Sequence, residues 1–287
     1  MPDSHQQGET PEEGQQLLQA WQESEHADYL DARAGYNLRD LRVIYENFNE
    51  FRLFLDQRDN LIGRDFLEIG CATGELYRYL QGYHSDFDYH GYDISRPGIE
   101  RARKKYPSGQ FDLCRPDVSD LIESDITSSV VFARDVVLHQ PEPFTYLSRL
   151  LSLSKEISIL RLRTRDRGDT VLDAELSCQW HYNQWVPYFV LNIDELVETI
   201  ARTVPTKRII LVKRYVQLGG WHRRFLPKEC YYPETGTAET AVCIVRSDKT
   251  EGDPEIVVSE REDTELPPLP LWKRGLRHLA WKLSRDR

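Results

Sequence analysis

The sequence has few cysteines, and their spacing argues against the common cysteine-based sites. No two of them form a CxxC pair, and none has a histidine at zinc-finger spacing. They stand at Cys71, Cys114, Cys178, Cys230 and Cys243. An odd, scattered set on apolar stretches is typical of reduced core thiols, so we expect no structural zinc and no other metal.

Long apolar runs and an excess of basic charge are also missing. No apolar stretch approaches the roughly 20 residues that cross a bilayer, and residues 1–14 are polar and acidic, unlike a secretory signal. With 37 Lys and Arg against 47 Asp and Glu, the formal charge is −10, which argues against a nucleic-acid partner. We therefore expect a cytoplasmic protein.

Composition divides the chain into parts that differ in charge and apolar pattern. They are a disordered start with a helical cap (1–60), a globular core (61–248), an acidic, proline-rich linker (249–270) and a basic amphipathic tail (271–287). The cap carries Trp21, Tyr29 and Tyr36, which are available to line a ligand site. A tail of this type binds either an anionic membrane surface or a protein, so we expect one of these two contacts.

The core alternates short apolar runs with helical patterns, which predicts a mostly parallel sheet with helices on both faces. The runs are Phe66–Ile69, Tyr89–Tyr92, a weaker one around Phe111, Val130–Ala133, Ile157–Leu162, Ile209–Val212 and Ala241–Val245. Two long insertions, 164–191 and 217–239, interrupt the alternation and are rich in aromatic residues. Their side chains either form small local cores or floor an acceptor pocket, since long connections are usually functional lids or local additions.

The most informative motif is FLEIGCATGEL, residues 66–76, in which an apolar strand ends in a glycine turn before a helix. Gly70 lets the backbone turn tightly, and the loop amides and helix start then offer hydrogen-bond donors to a ligand. The spacing to Gly74 is neither that of a P-loop nor that of the dinucleotide GxGxxG motif. Burying Glu68 in a strand is costly, so we expect it to pair with loop amides or with a cationic ligand group.

Acidic residues also follow the next two predicted strands. Asp93 closes the second strand, where a carboxylate can accept two ribose hydroxyls in a doubly wound fold. Asp117 follows the weak third strand, where an acid can meet an adenine amino group. Ser95 predicts the start of one helix, and Asn192 with Glu195 predicts a capping pair at another.

Several motifs follow one another in a recognisable order. They are Glu68-x-Gly70-x-x-x-Gly74, Asp93-Ile94, Asp117-Val118 and Ala133-Arg134-Asp135 followed by Leu138-His139. This set resembles the class I S-adenosylmethionine-dependent methyltransferases over residues 64–247. The resemblance implies a Rossmann-like α/β fold with a seven-stranded, mostly parallel sheet and a terminal antiparallel hairpin. The segment Trp185–Glu195 is similar, over a short stretch, to methyltransferases of surface-polysaccharide biosynthesis.

The resemblance also implies S-adenosyl-L-methionine as the cofactor. The residues that it assigns to cofactor binding are Glu68, Gly70, Cys71, Ala72, Gly74, Asp93, Ile94, Asp117, Val118, Ala133 and Arg134. Asp93 would hold the ribose hydroxyls, Asp117 the adenine edge, and Arg134 would help to close the crevice near the sulfonium. Ala72 stands where many members have a third glycine, and alanine is tolerated there if the backbone has an ordinary negative φ.

Methyl transfer to a hydroxyl needs aligned reactants and a group that takes the proton. His139 is the best-placed candidate base, since an imidazole titrates near neutrality; alternatively, it caps a helix or packs against the sheet. His181 and His222, both in the aromatic insertions, are rival bases. Asp135 and Asp166 at two strand ends offer an alternative metal site.

We therefore predict an S-adenosylmethionine-dependent methyltransferase that acts on a hydroxyl of a small molecule or glycan. One alternative is a non-catalytic protein that binds the cofactor and acts as a regulatory or scaffold subunit. Another is an aminopropyltransferase-like enzyme on the same fold, which is disfavoured because no acidic Asp-Thr-Asp-type motif follows the strand at Val130.

Overall fold

The structure is a computed structural model and describes residues 17–31, 37–220, 223–247 and 253–261. Tyr36, His222 and the tail 271–287 lie outside the described residues. The strands are β1 (Asp65–Ile69), β2 (Asp88–Asp93), β3 (Gln110–Leu113), β4 (Ser128–Arg134), β5 (Ser154–Arg165), β6 (Cys178–His181), β7 (Gln184–Pro187), β8 (Leu191–Asn192), β9 (Thr206–Tyr215), β10 (Arg224–Phe225), β11 (Ala238–Arg246) and β12 (Glu255–Glu260).

The α-helices lie between these strands and before the first one. They are α1 (Gln19–Gln22), α2 (Ser24–Asp31), α3 (Leu38–Tyr45), α4 (Asn49–Gln57), α5 (Glu75–Tyr83), α6 (Arg96–Lys105), α7 (Ser119–Glu123), α8 (Pro143–Ser152) and α9 (Ile193–Thr203). Short 3-10 turns lie at Arg58–Asn60, Val137–His139, Lys228–Cys230 and Pro233–Thr235.

One large sheet organises the described residues and confirms the predicted fold class. Its order is β12-β9-β11-β5-β4-β1-β2-β3, with the short β8 added beside β5. Strands β1 to β5 are parallel, and β11 lies antiparallel between β5 and β9. The predicted seven strands and terminal hairpin are therefore present, and β8 and β12 bring the sheet to nine strands.

The extra strand β12 corrects the predicted linker, because Glu255–Glu260 pairs in parallel with β9 instead of forming an irregular connection. The run Ile256, Val257 and Val258 is β-branched and favours an extended conformation. The edge of β9 offers backbone groups that such a run can pair with. The average composition of the segment is acidic and proline-rich, so a prediction from composition misses this short β-branched run.

Both faces of the central strands are buried, which explains their near-continuous apolar runs. On one face Phe66 of β1 packs with Phe54 of α4 and Phe132 of β4. On the other face Leu67 and Ile69 belong to a second cluster, which the apolar sides of α8 and α9 complete. The two clusters therefore hold β1 and β4 in place, and the loops at the carboxyl ends of these strands follow well-packed residues.

Polar side chains begin two of the helices at the predicted residues. The Ser95 hydroxyl accepts a hydrogen bond from the Gly98 amide (3.2 Å), and Asn192 Oδ1 accepts from the amides of Asp194 (2.8 Å) and Glu195 (3.0 Å). The Glu195 carboxylate does not return to Asn192 but accepts from the Thr170 amide (3.2 Å). The capping pair is thus wrong in its second half, because the Asn192 amide already donates to the Thr170 hydroxyl.

The two aromatic insertions meet in a second, three-stranded sheet with the order β10-β6-β7. A small core forms beneath it from Leu138, Tyr188, Val190, Leu218, Leu226 and Cys230. The Phe189 amide donates to the Leu138 carbonyl (2.9 Å), which ties the small sheet to the loop after β4. Among the described residues, no helix is both long enough and apolar enough to cross a membrane.

Candidate active site

A cavity of about 460 Å³ opens at the carboxyl ends of the central strands. Its wall includes Gly70 after β1, Asp93 at the end of β2, Cys114 after β3 and Arg134 at the end of β4. Doubly wound sheets bind ligands at this edge, and small-molecule sites commonly measure about 300–1,000 Å³. The large cavity therefore coincides with the predicted motifs.

The glycine turn after β1 needs its two glycines for steric reasons. Gly70 has φ +86°, and a Cβ there would lie 2.5 Å from Cγ1 of Val136, in the loop after β4. Gly74 has φ +80°, and a Cβ there would lie 2.9 Å from the Phe111 ring. Gly70 lines the cavity, whereas Gly74 only begins α5 and lies outside its lining.

Ala72 does not meet the condition under which alanine is readily tolerated, because its φ is +50°. Alanine therefore occupies a left-handed conformation that costs about 1–2 kcal/mol. The Ala72 amide donates to Asp93 Oδ2 at 2.8 Å. This hydrogen bond holds the turn in its strained conformation and brings the loop against the end of β2.

Asp93 is held by two backbone donors and faces the cavity. Besides Ala72, the Ser95 amide donates to Asp93 Oδ1 at 2.8 Å. Burial raises the pKa of Asp93, and the two backbone hydrogen bonds oppose that rise. Each carboxylate oxygen retains a further acceptor position, so the side chain can accept two hydroxyls of a ribose. Ile94 lies beside it in the cavity wall.

Glu68 lines the same end of the cavity but is bonded differently from the prediction. Its Oε2 accepts a hydrogen bond from the Tyr89 hydroxyl, not from the loop amides. Burial, together with the nearby charge of Asp93, raises the pKa of Glu68 to about 8. Its carboxyl is therefore largely protonated at neutral pH and ionises readily when a cation approaches.

The turn also offers an unused hydroxyl, which tests whether the site fits a polar cofactor. Thr73 is 1% exposed and lines the cavity. Its Oγ1 has no hydrogen-bond partner among the described residues. A buried hydroxyl without a partner is costly, and a polar ligand group in the cavity would remove that cost. Thr73 was not predicted, although its place within the motif was a usable signal.

Besides Gly74, three of the implied cofactor residues do not line the cavity. Val118 and Ala133 are each 1% exposed and pack in the core. The Asp117 carboxylate accepts from the Ser119 amide (3.2 Å) and from Arg149 (2.6 Å). Their assignment to the adenine edge and the crevice is not supported by this arrangement, since the local contacts already use them. Cys71 does line the cavity, as implied.

Arg134 lines the cavity but uses its charge on helix α4. Its Nε lies 2.9 Å from Glu50 Oε1, and its guanidinium carbon lies 3.8 Å from the centroid of the Phe48 ring. Glu50 is buried, so this ion pair joins the end of β4 to the helical cap. These contacts of Arg134 hold α4 against the end of β4.

The two acids that the sequence offers for a metal are held in ion pairs. Arg163 Nη1 lies 2.8 Å from Asp135 Oδ1, and burial alone would raise the pKa of Asp135, but Arg161 and Arg163 hold it far below its usual value. Asp166 pairs with Lys213 and accepts from the Tyr215 hydroxyl (2.8 Å). Within the described residues there is no group of three metal-ligating side chains.

His139 lies in the cavity wall with a defined tautomer. Its Nδ1 is 2.6 Å from the Pro187 carbonyl, which can only accept, so Nδ1 carries the proton and Nε2 is an acceptor. Burial lowers the pKa of His139 to about 3 although the Pro187 hydrogen bond opposes this. The ring is therefore neutral at physiological pH and can receive a proton at Nε2.

His181 has the same tautomer as His139, and a neighbouring arginine dictates it. Arg224 Nε and Nη2 donate to Gln179 Oε1 at 3.0 and 2.7 Å, which turns the amide nitrogen of Gln179 toward His181 Nε2. His181 Nε2 therefore accepts, and its Nδ1 carries the proton. Burial, with Arg224 nearby, lowers the pKa of His181 to about 4. Of the two described histidines named as bases, only His139 keeps its acceptor nitrogen unused by these contacts.

The N-terminal helices cover this part of the cavity. Trp21 and Tyr29 line it, as do Leu18, His26 and Leu30. The Trp21 ring lies 4.6 Å from the His139 ring and 5.1 Å from the His181 ring, centroid to centroid. The aromatic residues of the cap thus enclose the end of the cavity that carries the histidines. Sequence reasoning singled out Trp21 but not its neighbours His26 and Leu30.

Comparisons with known proteins found one family match and several similar solved structures. Residues 67–156 match a family described as "Methyltransferase domain". Magnesium protoporphyrin IX methyltransferase from Synechocystis PCC 6803, solved with bound SAH, has 14% identity and a TM-score of 0.50, over 81% of this chain and 99% of that one. An O-methyltransferase from a trans-AT PKS multienzyme of Brevibacillus brevis, also with S-adenosyl-L-homocysteine, has 13% identity and a TM-score of 0.48, over 69% and 72%.

The matched residues run from β1 to the start of β5 and contain the glycine turn, Asp93 and His139. The sheet order is β3-β2-β1-β4-β5-β11-β9 within this structure, and it contains the seven strands and the terminal antiparallel hairpin that the resemblance implied. Residues 67–156 thus match a methyltransferase domain, and the described residues have the Rossmann-like α/β fold that the resemblance implied.

Proposed function

We propose that the protein transfers the methyl group of S-adenosylmethionine to a hydroxyl of a small molecule or glycan, with His139 as the base. The observation that carries the proposal is the tautomer of His139. The Pro187 carbonyl fixes the proton on Nδ1 and leaves Nε2 as an acceptor in the cavity wall. A hydroxyl nucleophile must lose a proton during transfer, and this nitrogen can take it.

The cofactor end is assigned to the glycine turn and the ends of β1 and β2. Asp93 would accept the ribose hydroxyls, Ile94 would pack on the adenine, and Glu68 with Thr73 would meet the methionine part. When bound there, the cofactor supplies an electrophilic methyl group on a sulfonium. The residues fit such a group, since they combine a two-acceptor carboxylate, a second carboxyl poised to ionise and a hydroxyl that lacks a partner.

At the acceptor end the proton balance is simple. In the proposed transfer the acceptor oxygen would bond to the methyl carbon as the carbon–sulfur bond breaks, and His139 Nε2 would take the hydroxyl proton. The Pro187 carbonyl, bonded to Nδ1–H, and the charge of Asp135 both favour the imidazolium that results. His139 thereby combines orientation and proton transfer in one side chain.

The test uses the full chain and separates binding from chemistry. Calorimetry measures the affinity for S-adenosylmethionine, and turnover to S-adenosylhomocysteine is followed with sugars, phenols and lipid-linked glycans as acceptors. We expect His139→Ala to lower kcat by about 10²–10⁴ while the affinity for the cofactor is unchanged. His90→Ala is the matched control, because His90 pairs with Asp112 away from the cavity.

The outcomes assign the function. Undiminished turnover by the His139→Ala protein would show that His139 is not the base. Tight cofactor binding by the wild-type protein without turnover of any acceptor would favour the non-catalytic regulatory or scaffold alternative.

A further inference from the structure

Arg163 of β5 joins the two segments between which His139 is held. It lines the cavity and is 7% exposed. Its Nη1 donates to Asp135 Oδ1 at 2.8 Å, and its Nε donates to the Tyr188 hydroxyl at 2.9 Å. Asp135 directly follows β4 and leads into the 3-10 turn Val137–His139, whereas Tyr188 directly follows β7. One planar side chain therefore sets the spacing between the two segments.

The same two segments form the hydrogen bond that fixes the tautomer of His139. The Pro187 carbonyl lies 2.6 Å from His139 Nδ1, and the Phe189 amide donates to the Leu138 carbonyl at 2.9 Å. Tyr188 stands between Pro187 and Phe189 in the chain, so a movement of Tyr188 displaces both contacts. Since the hydrogen bond at one ring nitrogen of a neutral imidazole decides which nitrogen carries the proton, the tautomer depends on where Tyr188 is held.

The sheet holds Arg163 from its other side. Its Nη2 lies 3.1 Å from Glu239 Oε1, and the register of β11 on β5 places these two residues directly opposite each other. Its Nη1 also donates to the Leu162 carbonyl at 3.2 Å. Burying a guanidinium is costly unless its charge is paired, and Asp135 and Glu239 supply that pairing. These contacts leave the guanidinium in one plane, from which it reaches both segments around His139.

We propose that Arg163 is a positioning residue for His139. By bridging Asp135 and Tyr188, it keeps the Pro187 carbonyl against Nδ1 and so keeps the proton off Nε2. If the bridge is lost, the carbonyl no longer fixes the ring, and the form with the proton on Nε2, which cannot accept another there, becomes populated. The proposal rests on the proposed function for the role of the base, but the tautomer itself can be measured without an acceptor.

The test reads the tautomer by nitrogen NMR of the full chain with isotope-labelled histidine. The resonances of His139 are identified by their loss in the His139→Ala protein, and they show which ring nitrogen carries the proton. We expect the proton on Nδ1 in the wild type and a measurable population with the proton on Nε2 in Tyr188→Phe, which removes only the hydroxyl that Arg163 holds. Arg163→Lys keeps the charge but loses the planar fork, so it should show the same change.

Turnover gives a second measurement that separates positioning from binding. In Tyr188→Phe kcat should fall by about 3–10-fold, on the order of losing one hydrogen bond, and less than in His139→Ala. The affinity for S-adenosylmethionine should stay the same. Tyr215→Phe is the matched control, because the Tyr215 hydroxyl donates to Asp166 (2.8 Å) and Tyr215 lies outside the cavity lining. It should change neither the tautomer of His139 nor kcat.

The outcomes separate this proposal from the proposed function. Arg163 does not position His139 if Nδ1 stays fully protonated in the Tyr188→Phe protein or in a folded Arg163→Lys protein, whatever the turnover. A melting temperature identifies an unfolded Arg163→Lys protein, and Tyr188→Phe then decides alone. A wild-type protein with its proton on Nε2 would overturn the proposed base and this proposal with it. A tautomer that shifts as expected in a chain that methylates no acceptor would support the positioning and count against the proposed function alone.

Discussion

Replacing Glu68 with glutamine should stabilise the protein without cofactor and weaken the binding of a cationic cofactor. Glu68 is 8% exposed, and burial first, then the charge of Asp93, raises its pKa from 4.5 to about 8. A glutamine has the same shape and can still accept the hydrogen bond from Tyr89 through its carbonyl. The substitution therefore removes one titratable group and leaves the shape and the hydrogen bond of the side chain largely unchanged.

The sign follows from the direction of the shift. A carboxyl whose pKa is higher in the folded state keeps its proton on folding, so its contribution is fully present below about pH 4.5 and is lost as the pH rises to about 8. Glutamine has no proton to lose. The stability of Glu68→Gln relative to wild type should therefore increase by about 3 kcal/mol between pH 5 and pH 8, at about 1.4 kcal/mol per pKa unit.

Urea unfolding at several pH values measures this difference directly. Glu123→Gln makes the same substitution on the exposed surface and controls for the change of residue itself. A relative stability that is flat or falls with pH would show that Glu68 is not held protonated in the folded state, and the reasoning from its burial would be wrong.

The same substitution has a second signature in cofactor binding. A cation near Glu68 lowers its pKa, so the wild-type protein should release up to one proton when it binds S-adenosylmethionine at pH 7. The binding enthalpy should then depend on the ionisation enthalpy of the buffer, and Glu68→Gln should lose that part of the dependence. An equal dependence in both proteins would exclude Glu68 as the source of the proton.

Three further predictions concern the turn, the ribose carboxylate and the base. Ala72→Gly should stabilise the protein by up to about 1 kcal/mol in thermal unfolding, because glycine relieves the positive φ of +50°; a destabilised variant would contradict the strain. Asp93→Ala should weaken S-adenosylmethionine binding by about 1–3 kcal/mol in calorimetry, and unchanged affinity would remove the ribose assignment. The pKa of His139 is lowered to about 3, so the ring stays neutral near pH 6.5. We therefore expect no fall in kcat near pH 6.5 that is due to His139, that is, none that disappears in the His139→Ala protein.

How far the sequence predicts this structure differs between its local and its tertiary features. The strands were predictable because a strand buried on both faces consists of a run of apolar residues, and the turn was predictable because its backbone requires glycine at Gly70. The positive φ of Ala72 was not predictable, since the Ala72–Asp93 hydrogen bond that stabilises it joins two strand ends. Strand β12 was missed because its short β-branched run lies within an acidic, proline-rich composition.

The acceptor side of the cavity was even less predictable from the sequence, because it depends more on tertiary contacts. Trp21, Gln179 and Arg224 lie in three separate parts of the sequence and meet only through the cap and the small sheet β10-β6-β7. No local spacing relates them, so sequence reasoning could name aromatic insertions but not the donors within them. The tautomers of His139 and His181 depend on one carbonyl and one amide, which only the tertiary structure brings into place.

Three acids, Glu68, Glu75 and Asp93, line the cavity at the end proposed for the cationic cofactor. If S-adenosylmethionine binds there as proposed, the loss of the positive charge at sulfur on transfer would remove one influence that lowers the pKa of Glu68, and burial would favour its neutral form again. Under that proposal Glu68 would discriminate between the charged cofactor and its neutral product by its protonation state, which a permanently ionised, solvated carboxylate in the same place would do less sharply.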